Sequence, residues 1–129
     1  MRILLDTNRL TDALRQDGPI VDVVEHAVEV WISFVTLGEI RAGFLGGHSR
    51  RRAYNEALLM RFLGLPAVGV LYPDRETTDV YARLFVQLRQ AGTPIPTNDL
   101  WIASLAVQHQ LALLTRDSHF AKVPQVSLL

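Results

Sequence analysis

The chain has 129 residues and a mass of 14.5 kDa, which fits one domain spanning 1–129 with a core large enough to need no covalent staples. It has no cysteine, so disulfides, thiolate zinc sites and cysteine nucleophiles are excluded. Thirteen basic residues balance thirteen acidic ones, so any nucleic-acid contact must come from local patches rather than overall charge. Only three apolar residues, Ile3-Leu4-Leu5, precede Asp6, too few for a secretory leader, and no apolar stretch reaches the length of a membrane span. The expectation is a soluble, cytoplasmic protein.

Ile3-Leu4-Leu5 reads as a buried strand ending at Asp6-Thr7-Asn8, a helix-capping sequence. Two helices follow, over 8–15 and 20–28, broken at Asp17-Gly18-Pro19. The β-branched and aromatic run 30–35 predicts a second strand. Helices are then expected over 36–44 and 49–63, the latter stopped by Gly64-Leu65-Pro66, and a third strand over 68–71. Val80, Leu84, Phe85 and Leu88 recur at helical spacing within a helix over 74–91, closed by Gly92. Prolines 94 and 96 force an extended linker. A helix over 98–110, apolar nearly all round, is expected to be buried; strands over 111–115 and 126–129 complete the chain. Apolar strands alternating with helices imply an α/β three-layer sandwich around a mostly parallel sheet of roughly five strands.

Ligands of open parallel sheets bind beyond the carboxyl ends of the strands. Asp6 ends the first strand, Glu39 follows the second by one helical turn, and Asp117 directly follows the fourth. Asp99 lies in the first turn of the helix leading into the fourth. The linker 92–97, at about 3.3 Å per residue, reaches about 20 Å, enough to recross a sheet and bring Asp99 to the same edge. Each acid alone has a plain reading: Asp6 as a helix cap, Asp99 favoured by the helix dipole, Asp117 in a turn, Glu39 facing water. Together, partly buried like charges call for a cation between them, and a hard divalent ion suits carboxylate oxygens. The histidines at 26, 48, 109 and 119 share no zinc-ligand spacing. His119 either touches substrate or packs at a helix start.

Four motifs carry a resemblance: Leu4-Leu5-Asp6-Thr7-Asn8, Thr36-Leu37-Gly38-Glu39-Ile40, Asn98-Asp99-Leu100-Trp101-Ile102-Ala103 and Thr115-Arg116-Asp117-Ser118-His119-Phe120. Their order and spacing resemble the PIN-domain family, in particular the VapC toxins of type II toxin–antitoxin modules, over nearly the whole chain. The resemblance implies a PIN-like fold and a ribonuclease dependent on Mg²⁺ or Mn²⁺, dimeric, restrained by a VapB-type antitoxin and acting on RNA of the tRNA or rRNA class. It makes Asp6 and Asp99 the principal metal ligands, completed by Glu39 and Asp117 as catalytic acids. Asn8 and Asn98 would orient the carboxylates, and Thr115 or Ser118 would do so beside Asp117. Arg9 departs from the family pattern, which more often has an apolar residue there; it would reach a phosphate, meet the partner or sit in solvent. Arg41 and Arg116 neighbour Glu39 and Asp117 in sequence and are placed to meet a scissile phosphate. Arg50-Arg51-Arg52 reads equally as an RNA or acidic-peptide contact and as a solvated helix start. Phe44-Leu45 and Leu58-Leu59 read as partner contact or as core. Two rival readings, a phosphorelay receiver and a non-catalytic RNA-binding module, have less support. The first strand ends in a single acid, and Lys122 is the one lysine.

Overall fold

The computed structural model describes residues 1–129, the side chain of Ser49 excepted. In chain order the elements are β1 (Arg2–Leu5), α1 (Thr7–Leu14), α2 (Gly18–His26), β2 (Glu29–Ser33), α3 (Phe34–Gly46), α4 (Ser49–Leu63), β3 (Val68–Leu71), α5 (Arg75–Gln90), α6 (Thr97–His109), β4 (Ala112–Leu114), a 3-10 helix η1 (Ser118–Lys122) and β5 (Ser127–Leu128). The strands form one five-stranded sheet in the order β3-β2-β1-β4-β5. Every pairing in it is parallel.

Side-chain alternation along the strands splits the core in two. Leu4 and Leu113 face one side, packing with Leu84 and Leu88 of α5, Ile102, Leu105 and Ala106 of α6, and Phe120 of η1. Ile3, Leu5, Val30, Ile32 and Leu114 face the other, against Leu10 of α1, Ile20 of α2, Ile40 of α3 and Leu59 and Phe62 of α4. Each of Ile3, Leu4 and Leu5 is wholly buried, a burial that stabilises by about 2 kcal/mol per side chain. At Gly69 on β3 an added Cβ would lie 2.5 Å from Cζ3 of Trp31, so glycine lets the indole lie across the neighbouring strand.

One expectation from sequence is corrected, and two open points are settled. The second strand ends at Ser33, and Phe34 and Val35 belong to α3. Ser33 Oγ accepts from the Thr36 amide at 3.1 Å, and this cap starts the helix despite two residues of high strand propensity. The last element but one, η1, has no signal in the sequence; it begins where the Asp117 carboxylate accepts from the His119 amide at 2.9 Å. Of the two leucines at 58–59, Leu59 is fully buried, whereas Leu58 lines a surface groove. Of the other pair, Leu45 is exposed and Phe44 packs against the core.

Candidate active site

The acids meet at the carboxyl edge of the sheet. Asp6 follows β1 and caps α1: its Oδ1 accepts from the Thr7 amide at 2.8 Å. Its other oxygen accepts from Thr115 Oγ1, beyond β4, at 2.7 Å. Adjacent parallel strands β1 and β4 present these residues side by side, and the Asp6 amide continues the ladder onto Leu114 O at 3.0 Å. The Thr115 hydroxyl in turn accepts from the Asp117 amide at 2.9 Å. The threonine thus fixes an acid from each strand with one group.

Asp99 reaches this edge from the first turn of α6, which packs antiparallel to α5: Gln108, near the end of α6, donates to Asp74 at the head of α5 at 2.9 Å. Its Oδ2 lies 2.7 Å from His119 Nδ1, and the same nitrogen is 3.1 Å from Asp117 Oδ1. Asp99, Asp117 and His119 offer ligand atoms within 4.8 Å of one another, a group that could hold a metal ion. The Asp99 side chain is only 16% exposed. Burial pushes its pKa above the ordinary carboxylate value; the His119 hydrogen bond lowers it in part, and the charges of Asp117 and Asp6 raise it further. That mutual repulsion places Asp6 in the electrostatic field of Asp99.

Glu39 stands apart from this group. It is exposed, not forced into burial by Leu37 and Ile40, and it is held by the Thr7 hydroxyl, which donates to Oε1 at 2.8 Å. Thr7, on α1 directly after Asp6, therefore ties the outlying acid to the others. Asn8 reaches Asp6 Oδ2 at 3.5 Å through Nδ2 and accepts from the Arg116 amide at 3.3 Å. Asn98 and Ser118 are exposed, and among the described residues no side-chain hydrogen bond joins either to an acid. Arg41 is engaged by Glu56 of α4 at 2.9 Å. Arg9 and Arg116 both contact Asp12 of α1, at 3.3 and 3.1 Å.

His119, for which the sequence offers either a substrate contact or packing at a helix start, joins the cluster through partners from α6 and the β4–η1 turn. Two further residues are not legible in the sequence. Thr7 lies inside the Asp-Thr-Asn motif but reads there as a bystander. Asp12 looks like an ordinary surface acid of an amphipathic helix and is buried instead. The acid following β3, Asp74, is committed to a capping box with Thr77 at the head of α5.

A family model of the PIN domain matches residues 3–126. The chain is 37% identical over 102 residues to Ribonuclease VapC4 of Mycobacterium tuberculosis, covering 76% of this chain and 74% of that protein. It is 32% identical to the plasmid stability protein StbB of Pseudomonas syringae pv. tomato, over 90% of this chain and 88% of the other. Among solved structures, VapBC2 of Rickettsia felis, bound to a DNA fragment from its promoter, superimposes with a TM-score of 0.86 at 25% identity, covering 100% of this chain and 98% of that one. On these grounds, and with the five-stranded parallel fold described above, the chain belongs to the PIN-domain family.

Proposed function

We propose that the protein is a metal-dependent endoribonuclease that hydrolyses phosphodiester bonds in single-stranded or structured RNA, as the toxin of a toxin–antitoxin pair. The observation that carries the reading is the convergence of Asp6, Asp99 and Asp117 on one sheet edge, with Asp6 buried and Asp99 half-buried among like charges. Such a cluster is costly unless a cation joins it. The donor set fits a hard divalent ion: Asp99 and Asp117 would hold it, with His119 beside them, and Asp6 and Glu39 complete the negative field. When bound, Mg²⁺ or Mn²⁺ supplies an acidified water and neutralises charge developing on the phosphoryl oxygens.

The chain's own residues do the positioning. Thr115 fixes Asp6 and Asp117 relative to each other, and Thr7 aims Glu39. Holding these carboxylates before substrate arrives removes reorganisation from the reaction itself. Arg116, beside Asp117 and half-exposed, meets the substrate phosphate. The similarity to Ribonuclease VapC4 supports this reaction, and Asn98 and Ser118 remain candidate contacts on the exposed rim.

The partner proposed is a VapB-type antitoxin, a reading supported by the likeness to a VapBC complex. Its surface is an open apolar groove of about 590 Å³ where α1 and α2 meet α4, lined by Leu14, Val21, Val24, Leu58, Phe62 and Leu65. Asp22 and Glu25 line one side of this groove and Arg15, Arg51 and Arg61 border the adjoining concavity, so the occupant is an apolar segment flanked by charges of both signs. The same reading includes a homodimer, for which exposed Phe85 and Val86 on α5 provide apolar surface, and a cytoplasmic location. No helix among the described residues is long and apolar enough to cross a membrane.

The test is incubation with single-stranded and structured RNA in Mn²⁺, in Mg²⁺ and in EDTA. Cleavage with either metal and none in EDTA is the expected result. Binding without cleavage would favour a non-catalytic RNA-binding module, and phosphate uptake from a small phosphodonor would favour a receiver.

A further inference from the structure

Asp12 is buried, with a side chain only 8% exposed, and two guanidinium groups share its Oδ2. Arg9 Nη1 approaches from one turn earlier on the same helix, at 3.3 Å. Arg116 Nη1 approaches from the β4–η1 turn, at 3.1 Å. Arg9 follows Asp6 by three positions on α1 and Arg116 immediately precedes Asp117, its amide donating to Asn8 Oδ1 at 3.3 Å, so both residues branch from backbone that also carries acids of the cluster. Two positive charges on one carboxylate leave one in excess. A carboxylate oxygen also satisfies only part of a guanidinium's five donors. Arg9 Nε is buried with no hydrogen-bond partner among the described residues, and the Arg116 side chain is 54% exposed.

We infer that Asp12 is a positioning residue that aims Arg9 and Arg116 as a paired grip on an RNA backbone phosphate next to the cleavage site. The inference rests on the ribonuclease reading and adds to it a specific substrate clamp. Without Asp12, Arg116 on its exposed turn would sample many rotamers, and its fork would be aimed at no fixed point. Held by Asp12, it presents its free N–H groups in a fixed direction. A plain structural staple between α1 and the β4–η1 turn would use the same contacts, and the two roles differ in sign. Asp12→Asn removes a negative charge beside a polyanion, so a staple predicts RNA affinity unchanged or tighter, whereas a positioning role predicts weaker binding.

The experiment measures binding of a labelled single-stranded oligoribonucleotide to the full chain in EDTA, across a salt series, with melting temperature as the fold control. Asp12→Asn is expected to bind about 3- to 10-fold more weakly, and Arg116→Ala to do likewise with a slope of log affinity against log salt shallower by about 0.7. The double variant is expected to be no weaker than Arg116→Ala, because the two act as a unit. In Mn²⁺, KM for RNA should rise in Asp12→Asn with kcat little changed. If Asp12→Asn does not fold, the comparison moves to Arg116→Ala and Arg9→Ala, whose effects on affinity must be less than additive. RNA affinity unchanged or raised in Asp12→Asn, or strictly additive arginine losses, overturns the clamp. A parent that binds RNA but cleaves none in Mn²⁺ overturns the nuclease reading alone.

Discussion

The Thr115 hydroxyl donates to Asp6 Oδ2 over 2.7 Å, joining residues 109 positions apart in the chain. This one group also receives the Asp117 amide, so it sets the separation of two acids that would otherwise repel. Thr115→Val keeps the shape and removes both contacts. Ribonuclease activity is expected to fall about 10- to 100-fold, as for other groups that orient metal-binding side chains. The loss of net hydrogen bonding should cost only about 1 kcal/mol of stability. Steady-state cleavage of RNA in Mn²⁺, alongside denaturant unfolding, checks both halves.

Asp99 combines burial with two like-charged neighbours. Asp99→Asn should lower cleavage by at least about 100-fold, since the electrostatic stabilisation lost amounts to several kcal/mol. The same variant should melt at a higher temperature than the parent in EDTA at neutral pH, because a half-buried repulsive charge has gone. Cleavage at the parental rate would remove Asp99 from the site.

The same residue fixes a pH dependence. Its folded pKa is raised above the unfolded value, so its contribution to stability is fully present below the ordinary carboxylate range. That contribution is lost as pH rises through the raised value. In EDTA the parent should therefore lose melting temperature relative to Asp99→Asn on going from acid toward neutral pH. Millimolar Mn²⁺ should restore the loss by binding the native state. Parallel pH profiles for the two proteins in EDTA would contradict this.

Leu58 lines the apolar groove between α2 and α4, whereas its neighbour Leu59 is fully buried. Leu58→Glu should abolish co-purification with the antitoxin while leaving RNA cleavage by the isolated protein within about 2-fold, because surface changes of this kind move stability little. Retained complex formation would place the antitoxin on another surface.

Much of this architecture was legible in the sequence, and the reason is local. Strand runs such as Ile3-Leu4-Leu5 and Val68–Leu71 are apolar and short, and breakers such as Gly64-Leu65-Pro66 mark where helices stop. That Asp6 and Asp117 share one sheet edge is legible from strand topology; Asp99 reaches it because α6 packs antiparallel to α5, with Gln108 against Asp74, rather than because the 92–97 linker spans the sheet. The roles that the sequence leaves open or hides depend on contacts between distant elements. His119 meets Asp99 across the gap between η1 and α6, and Asp12 is buried because Arg116 folds onto it from the β4–η1 turn. Phe34 and Val35 read as strand by propensity alone, and the cap that Ser33 makes to Thr36 overrides it. Glu39 faces water, as its plain reading has it, but its tether to the hydroxyl of Thr7 from α1 is not legible locally.

The central claim is that carboxylates remote in sequence share one divalent ion, and Mn²⁺ binding by calorimetry tests it most directly. The parent should bind Mn²⁺ with measurable heat, and Asp6→Asn and Asp99→Asn should each weaken it by about 10-fold or more. No binding to the parent at millimolar Mn²⁺, or parental affinity in both variants, would contradict the account.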